Sequence, residues 1–243
     1  MRQPQDLYRE GKLTEAIESL QAHLREQPGE NRARNFLFEL LCFAGEFDRA
    51  RKQLSMLAQD SNDTRLGVSF YFAALTAEAG RQAWYEESAT AETANGSAVT
   101  GECNGKRFTG IQDLDARLGG ALEFLSAGKY HRIAFRNLRR IEICAPTRVR
   151  DLYWRTANAE TTEQLGSSAL DSILIPVLYP HTYLFDDDLT RLGRTTDFAI
   201  SAAGAEIPCG QRILVVGGEQ IPVLEIQSIE FDSLRPQEEA GNG

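Results

Sequence analysis

The chain has 243 residues, 42% of them hydrophobic and 25% charged, with a net charge of −9. That length accommodates one or two domains, and the composition excludes wholesale disorder. An acidic chain repels phosphates, which argues against nucleic acid or an anionic membrane as the bulk partner. The segment Met1–Glu10 is polar and lacks the apolar stretch of a signal peptide. The longest apolar run, Ile173 to Tyr179, is far short of the ~20 residues a membrane-spanning helix needs. These features predict a cytoplasmic protein. Cys42, Cys103, Cys144 and Cys209 form no C-x-x-C pair, and His23, His131 and His181 are scattered. Reduced thiols, no dedicated metal site and no cofactor are therefore expected.

The N-terminal third reads as helix and repeats itself. Gly11-Lys12-Leu13 leads to Ala16, Leu20, Leu24 and Pro28; 34 residues further on, Gly45-Glu46-Phe47 leads to Ala50, Leu54, Ala58 and Asn62. That period is the length of the tetratricopeptide repeat. The glycines stand where antiparallel helices turn, the alanines where helices approach closely, and the leucines between helices. An antiparallel bundle with an accidental period is the alternative. The same spacing predicts a helix over Arg32–Ala44 and another over Arg65–Ala79. The latter is expected to end at Gly80, with Arg81–Glu87 as a shorter partner helix. A repeat array of this kind offers a concave face to a peptide or helix. The template puts Asn35, Glu39, Cys42, Ser69 and Ala73 on that face, as the candidate partner-binding groove. It lacks the Lys/Arg clamp expected of a receptor for C-terminal carboxylates.

The composition then shifts to Ala, Thr, Ser, Gly and Asn. The boundaries read as a helical-repeat domain over 1–88, a linker over 89–101, and a strand-rich α+β domain over 102–243. Asn104-Gly105 predicts a hairpin within Glu102–Phe108, and Gly217-Gly218 a second within Arg212–Ile226. Tyr130–Phe135, Ser172–Leu178 and Asp197–Ala202 are further strand candidates. Leu114–Leu118 and Val149–Ala157 are candidate short helices. The fold class is α+β, with an α-α superhelix followed by a mixed or antiparallel sheet.

Motifs that carry chemistry are sparse. There is no G-x-G-x-x-G, no phosphate loop and no G-x-S-x-G elbow. Asp186-Asp187-Asp188 reads as a solvated turn and helix cap. Asp113 and Asp115 precede Arg117 and read as caps with an ion pair. An enzyme would have to gather Asp113, Asp115, His181 or Asp186–Asp188 into one pocket. Arg132, Arg136, Arg139 and Arg140, interleaved with Tyr130 and Phe135, are the basis for a weak RNA-binding alternative.

The chain resembles the ImpE family, also called TagJ, an accessory component of bacterial type VI secretion systems. The residues that carry the resemblance are Phe108-Thr109-Gly110-Ile111, Asp113 to Gly119, Arg150-Asp151-Leu152-Tyr153-Trp154, Ile175 to Pro180, Arg191 to Asp197, Gly210-Gln211-Arg212 and Leu224-Glu225-Ile226. The opening repeat, with Leu7, Gly11, Leu13 and Ala16, fits as well. The resemblance implies a non-enzymatic adaptor of the Gram-negative cytoplasm, with no catalytic residue. It implies as partner an N-terminal helix of the small sheath subunit, TssB, and an indirect link to sheath recycling by the ATPase ClpV. Asp115, Arg117, Arg150, Asp151, Trp154, Tyr179, Pro180, Gly193, Arg194, Asp197, Gly210 and Arg212 are then structural members of the motif. Pro208-Cys209 departs from the glycine-rich approach expected before Gly210.

Overall fold

The computed structural model describes residues 2–58, 62–87, 99–201 and 204–232. Five helices come first: α1 (Pro4–Arg9), α2 (Leu13–Glu26), α3 (Asn31–Phe43), α4 (Phe47–Leu57) and α5 (Asn62–Glu87). Gly11 (φ +83°) and Gly45 (φ +69°) turn the chain between paired helices, in a backbone region that favours glycine. Leu13, Ala16, Leu20, Phe38, Leu41, Ala50 and Leu54 are buried between the helices. The repeat reading holds for both helical pairs. The expected break at Gly80, with Arg81–Glu87 as a partner helix, is corrected: α5 runs through Gly80 as one helix, and the described residues form no third pair. Glycine inside a helix costs about 1 kcal/mol relative to alanine. Burial of Ala74, Leu75, Ala77, Arg81 and Tyr85 along one side of α5 outweighs that cost.

The remainder is antiparallel sheet. Its strands are β1 (Thr100–Cys103), β2 (Lys106–Thr109), β3 (Ile111–Asp113), β4 (Ala121–Ser126), β5 (Lys129–Ala134), β6 (Leu138–Ile143), β7 (Trp154–Thr161), β8 (Ala169–Pro176), β9 (Thr196–Ile200), β10 (Glu206–Gly210), β11 (Ile213–Val216), β12 (Glu219–Pro222) and β13 (Ser228–Phe231), with a short helix α6 (Asp188–Arg191) before β9. Eight strands form the main sheet in the order β2-β1-β13-β6-β7-β8-β4-β5. β12-β11-β3 make a smaller sheet, and β9-β10 a separate hairpin. The expected hairpins are present at Asn104-Gly105 and Gly217-Gly218, all four residues at positive φ. The β4–β5 hairpin turns at Ala127 (φ +48°) and Gly128 (φ +76°).

Several expectations are corrected. Leu114–Leu118 forms turns rather than a helix, held by Asp113 and Asp115 accepting from the following amides. Val149–Leu152 is one 3-10 turn, after which the chain extends into β7. The linker expected at 89–101 lies outside the described residues up to residue 98, and Thr100 and Gly101 already belong to β1. Asp197–Ala202 is strand through Ile200, and Ala202 is outside the described residues.

Two apolar cores result. One lies between the two sheets, with Ile111, Leu122, Phe135, Ile141, Ile175, Leu214 and Val223. The other joins the helices to the sheet domain, adding Leu125, Tyr153, Trp154, Leu174, Val177, Leu178 and Leu192 to the helical core. Two helical pairs are fewer than a free-standing repeat array needs. The sheet domain supplies the missing stacking layer.

Candidate functional site

The concave face of the helices is closed by the chain itself. Arg150, in the turn before β7, donates from Nη1 to Asn35 Oδ1 (3.0 Å) and Glu39 Oε1 (3.2 Å). Its guanidinium also lies 4.7 Å from the ring centroid of Tyr71. Glu39 and Cys42 are 5% and 1% exposed. Burial raises the Glu39 pKa despite Arg150, and burial raises the Cys42 thiol well above its usual value. The expectation that Asn35, Glu39 and Cys42 line an open groove is therefore corrected: Glu39 and Cys42 are buried, Arg150 sits on half-buried Asn35 and on Glu39, and Tyr153 packs on Phe43 beside them. Ser69 and Ala73 are on α5, exposed and half-buried respectively, and stay reachable.

A buried polar chain ties α5 to the sheet. Arg81 donates from Nε and Nη2 to the two carboxylate oxygens of Glu123 on β4 (2.9 and 2.7 Å), from Nη1 to Glu78 (2.9 Å) and from Nη2 to Leu178 O (2.8 Å). Trp154 Nε1 donates to the other oxygen of Glu78 at 3.1 Å. Arg212 bridges Glu123 (3.1 Å) and Asp113 (2.8 Å). Three carboxylates thus face two guanidiniums. Burial works against the Glu123 charge, but Arg81 and Arg212 outweigh it and hold its pKa low. Asp113 is the carboxylate that burial pushes up, to about 6, despite Arg212.

The other residues marked in the sequence are also structural. Asp115 pairs with Arg117 at 2.6 Å, and Arg117 lies over Tyr85. Asp151 accepts from the amides of Thr147 and Arg148. The Tyr179 hydroxyl bonds both the carbonyl and the amide of Ile213, and Pro180 leads into the turn at His181 (φ +60°). At Gly193 (φ +67°) a Cβ would meet Leu178, and at Gly210 (φ +92°) it would fall 2.1 Å from Thr195 O. Arg194 donates to the carbonyls of Tyr8 and Arg9, anchoring α6 to α1. Asp197 is exposed and accepts from the Phe198 amide. Asp187 caps α6 by accepting from Thr190, which lowers its pKa, and Asp188 accepts from the Thr14 amide of α2.

The residues of the enzyme alternative are not gathered. Asp113 and Asp115 are engaged by arginines, Asp187 and Asp188 by helix termini, and Asp186 is exposed. His181, its pKa lowered by burial, borders a cavity of about 10 Å³, roughly one water's worth of space. The arginines of the RNA alternative are dispersed. Arg139 and Arg140 pair with Glu160, Glu142 and Glu230, Arg136 is exposed, and Arg132 lies over Trp84.

The open site lies on the opposite side of α5, against the β4–β5 hairpin. Thr76, Ala77, Gly80 and Trp84 of α5 and Gly128 to Arg132 enclose a groove of about 610 Å³. It continues past Ala77 and Gly128 into a smaller apolar hollow of about 70 Å³, lined by Phe70, Ala73, Leu125 and Leu174 among others. From Phe70 to Trp84 the helix rises about 21 Å, the length of a four-turn helix. Small side chains floor it, and a Cβ at Gly80 would meet nothing within 4 Å. Leu66 is 77% exposed one turn before Phe70. Residue spacing marks Ala73 but not Trp84 or Gly128, and marks Arg132 only for the RNA alternative, because their approach depends on how β5 packs against α5.

The chain is thus a tetratricopeptide-like helical array fused to an antiparallel sheet domain, the two held together by buried arginine–carboxylate contacts. The family model described as ImpE protein matches residues 105–230, and a tetratricopeptide repeat model matches residues 7–67. The chain belongs to the ImpE family. It is 28% identical to the Pseudomonas aeruginosa type VI secretion system accessory component TagJ, over 94% of this chain and 90% of that protein. A crystal structure of a Vibrio parahaemolyticus protein shares the fold, with a TM-score of 0.79, 22% identity, and coverage of 94% of this chain and 97% of that one. Among the described residues, no helix is long and apolar enough to cross a membrane.

Proposed function

We propose that the chain is a non-enzymatic accessory component of a type VI secretion system, acting in the cytoplasm. It binds the N-terminal helix of the small sheath subunit TssB in the groove along α5. Its link to ClpV-driven sheath recycling is indirect, through that sheath helix. The observation that carries this reading is the open groove of helical length, beside a concave face already filled by Arg150 and Tyr153. A helix laid there would insert apolar anchors at i, i+3, i+4 and i+7 between α5 and the β4–β5 hairpin. The accessory role is supported by the likeness to TagJ over nearly the whole chain, and the partner by the family resemblance.

Calorimetric titration with a synthetic peptide from the TssB encoded beside this protein tests it. The expected result is saturable 1:1 binding that Ala73→Arg abolishes. Failure to bind peptide, together with failure to bind assembled sheath, would overturn the reading.

A further inference from the structure

The open groove has two unlike walls. One is α5. The other is β5, which ends the main sheet and has β4 as its only strand neighbour among the described residues. Gly128, Lys129, Tyr130, His131 and Arg132 all line the groove. Successive side chains of a strand point to opposite faces. Tyr130 and Arg132 lie against Trp84, whereas His131 stacks on Phe124 on the other face. A groove that touches both faces in succession runs along the edge of the strand and meets its backbone. The turn at Ala127-Gly128 pairs Ser126 with Lys129, and the Phe135 amide donates to Gly120 O. Alternate residues exchange hydrogen bonds in an antiparallel pair, so Lys129, His131 and Ile133 bond to β4. The N–H and C=O groups of Tyr130, Arg132 and Ala134 point away from β4, the first two pairs into the groove, and no strand of the described residues takes them.

From these unpaired backbone groups we infer that an extended segment of the partner chain, flanking the docked helix and carrying carboxylates, adds to β5 as a further strand of the main sheet. The helix rests on α5, and the segment that leaves it runs along β5. An added strand lies about 4.8 Å from β5, and every second side chain faces α5. Ala77 and Gly80 leave room for those side chains, since a Cβ at Gly80 would meet nothing within 4 Å. Lys129 and Arg132 are exposed at this edge. A second copy of β5 would bring the same cations with it, which disfavours self-pairing, whereas carboxylates on the incoming strand are attracted. Main-chain hydrogen bonds of this kind hold a peptide with little regard to its sequence, and pockets for alternate side chains add selectivity. This reading rests on the groove being the docking site, and adds that residues beside the helix are held through their backbone.

The test is residue-resolved amide exchange and affinity on the full chain with three peptides. They are the TssB helix alone, the same helix with about ten flanking residues on each side, and a designed extended peptide of alternating valine and threonine with two glutamates. The flanked peptide should bind about tenfold more tightly than the helix alone. It should also slow exchange at Tyr130 and Arg132, with His131 and Ile133 slow throughout. Arg132→Pro removes an outward amide and no bond to β4, so it should bind the flanked peptide about fivefold more weakly than Arg132→Ala. Should the proline variant not fold, the exchange pattern of the unaltered chain decides. Equal affinity of the two TssB peptides, with Tyr130 and Arg132 exchanging as in the free chain, would overturn strand addition and leave the helix reading standing. Binding of neither TssB peptide would overturn the helix reading. The designed peptide then decides: protection of Tyr130 and Arg132 keeps strand addition, and its absence removes it.

Discussion

The two faces of the helical array have the same origin and opposite fates. The concave face, where Asn35, Glu39 and Cys42 lie, is filled by a guanidinium, two aromatic rings and a buried carboxylate from the chain itself. The outer face of α5 keeps Ala73, Gly80 and Trp84 beside an open groove. A face that must bury apolar surface for the fold to stand is unavailable for partners. A face whose side chains are small, and whose glycine meets nothing, contributes little to folding and is free to bind. Substitutions on the two faces should therefore separate stability from binding.

The largest expected effect is at the clamp. Arg81→Ala leaves Glu78 and Glu123 buried without their guanidinium and should cost about 3–5 kcal/mol, read by urea unfolding. Arg150→Ala strands Glu39 under the sheet domain and should cost about 1–3 kcal/mol, while leaving peptide affinity unchanged. If Arg150→Ala instead abolished binding, the comparison of the two faces would fail. Ala73→Arg should do the reverse, shifting stability by less than about 0.5 kcal/mol while blocking the groove.

Gly80→Ala should stabilise the protein by about 1 kcal/mol in thermal unfolding, because it removes glycine from the interior of α5 and its methyl group enters open space. The methyl group should weaken peptide binding at the same time. The last effect concerns pH. Asp113 has a folded pKa of about 6 against a usual value of 3.8, so between those values the folded chain holds more protons than the unfolded one. Stability contributed by this group then falls as pH rises from about 4 to 6. Asp113→Asn should flatten that limb in a series of unfolding curves, and an unchanged slope would contradict the assignment.

How legible each face was follows from the range of its contacts. The helical pairs were readable because the turns at Gly11 and Gly45 and the buried Leu, Ala and Phe positions recur locally. The Asn104-Gly105 and Gly217-Gly218 hairpins announced themselves by residues suited to positive φ. The β4–β5 hairpin did not, because Ala127 occupies a conformation that alanine rarely adopts. Gly80 reads as a helix end in the sequence, and only the contacts of Arg81 and Tyr85 with Glu123 on β4 explain why α5 continues past it. The filling of the concave face could not be read at all. It depends on Arg150 meeting Asn35 and Glu39 across more than a hundred residues, and on Arg81 meeting Glu123. The family motif contained Arg150, Trp154, Arg194 and Arg212, but nothing in their spacing says that three of them reach the helices.

The most direct test of which face binds is amide hydrogen exchange on the full chain with and without the TssB helix peptide. Added protection is predicted along α5 from Phe70 to Trp84 and through the β4–β5 hairpin, with α3 unchanged from Asn35 to Cys42. Protection or opening centred on α3, with α5 unaffected, would contradict the assignment of the groove and return the partner to the concave face.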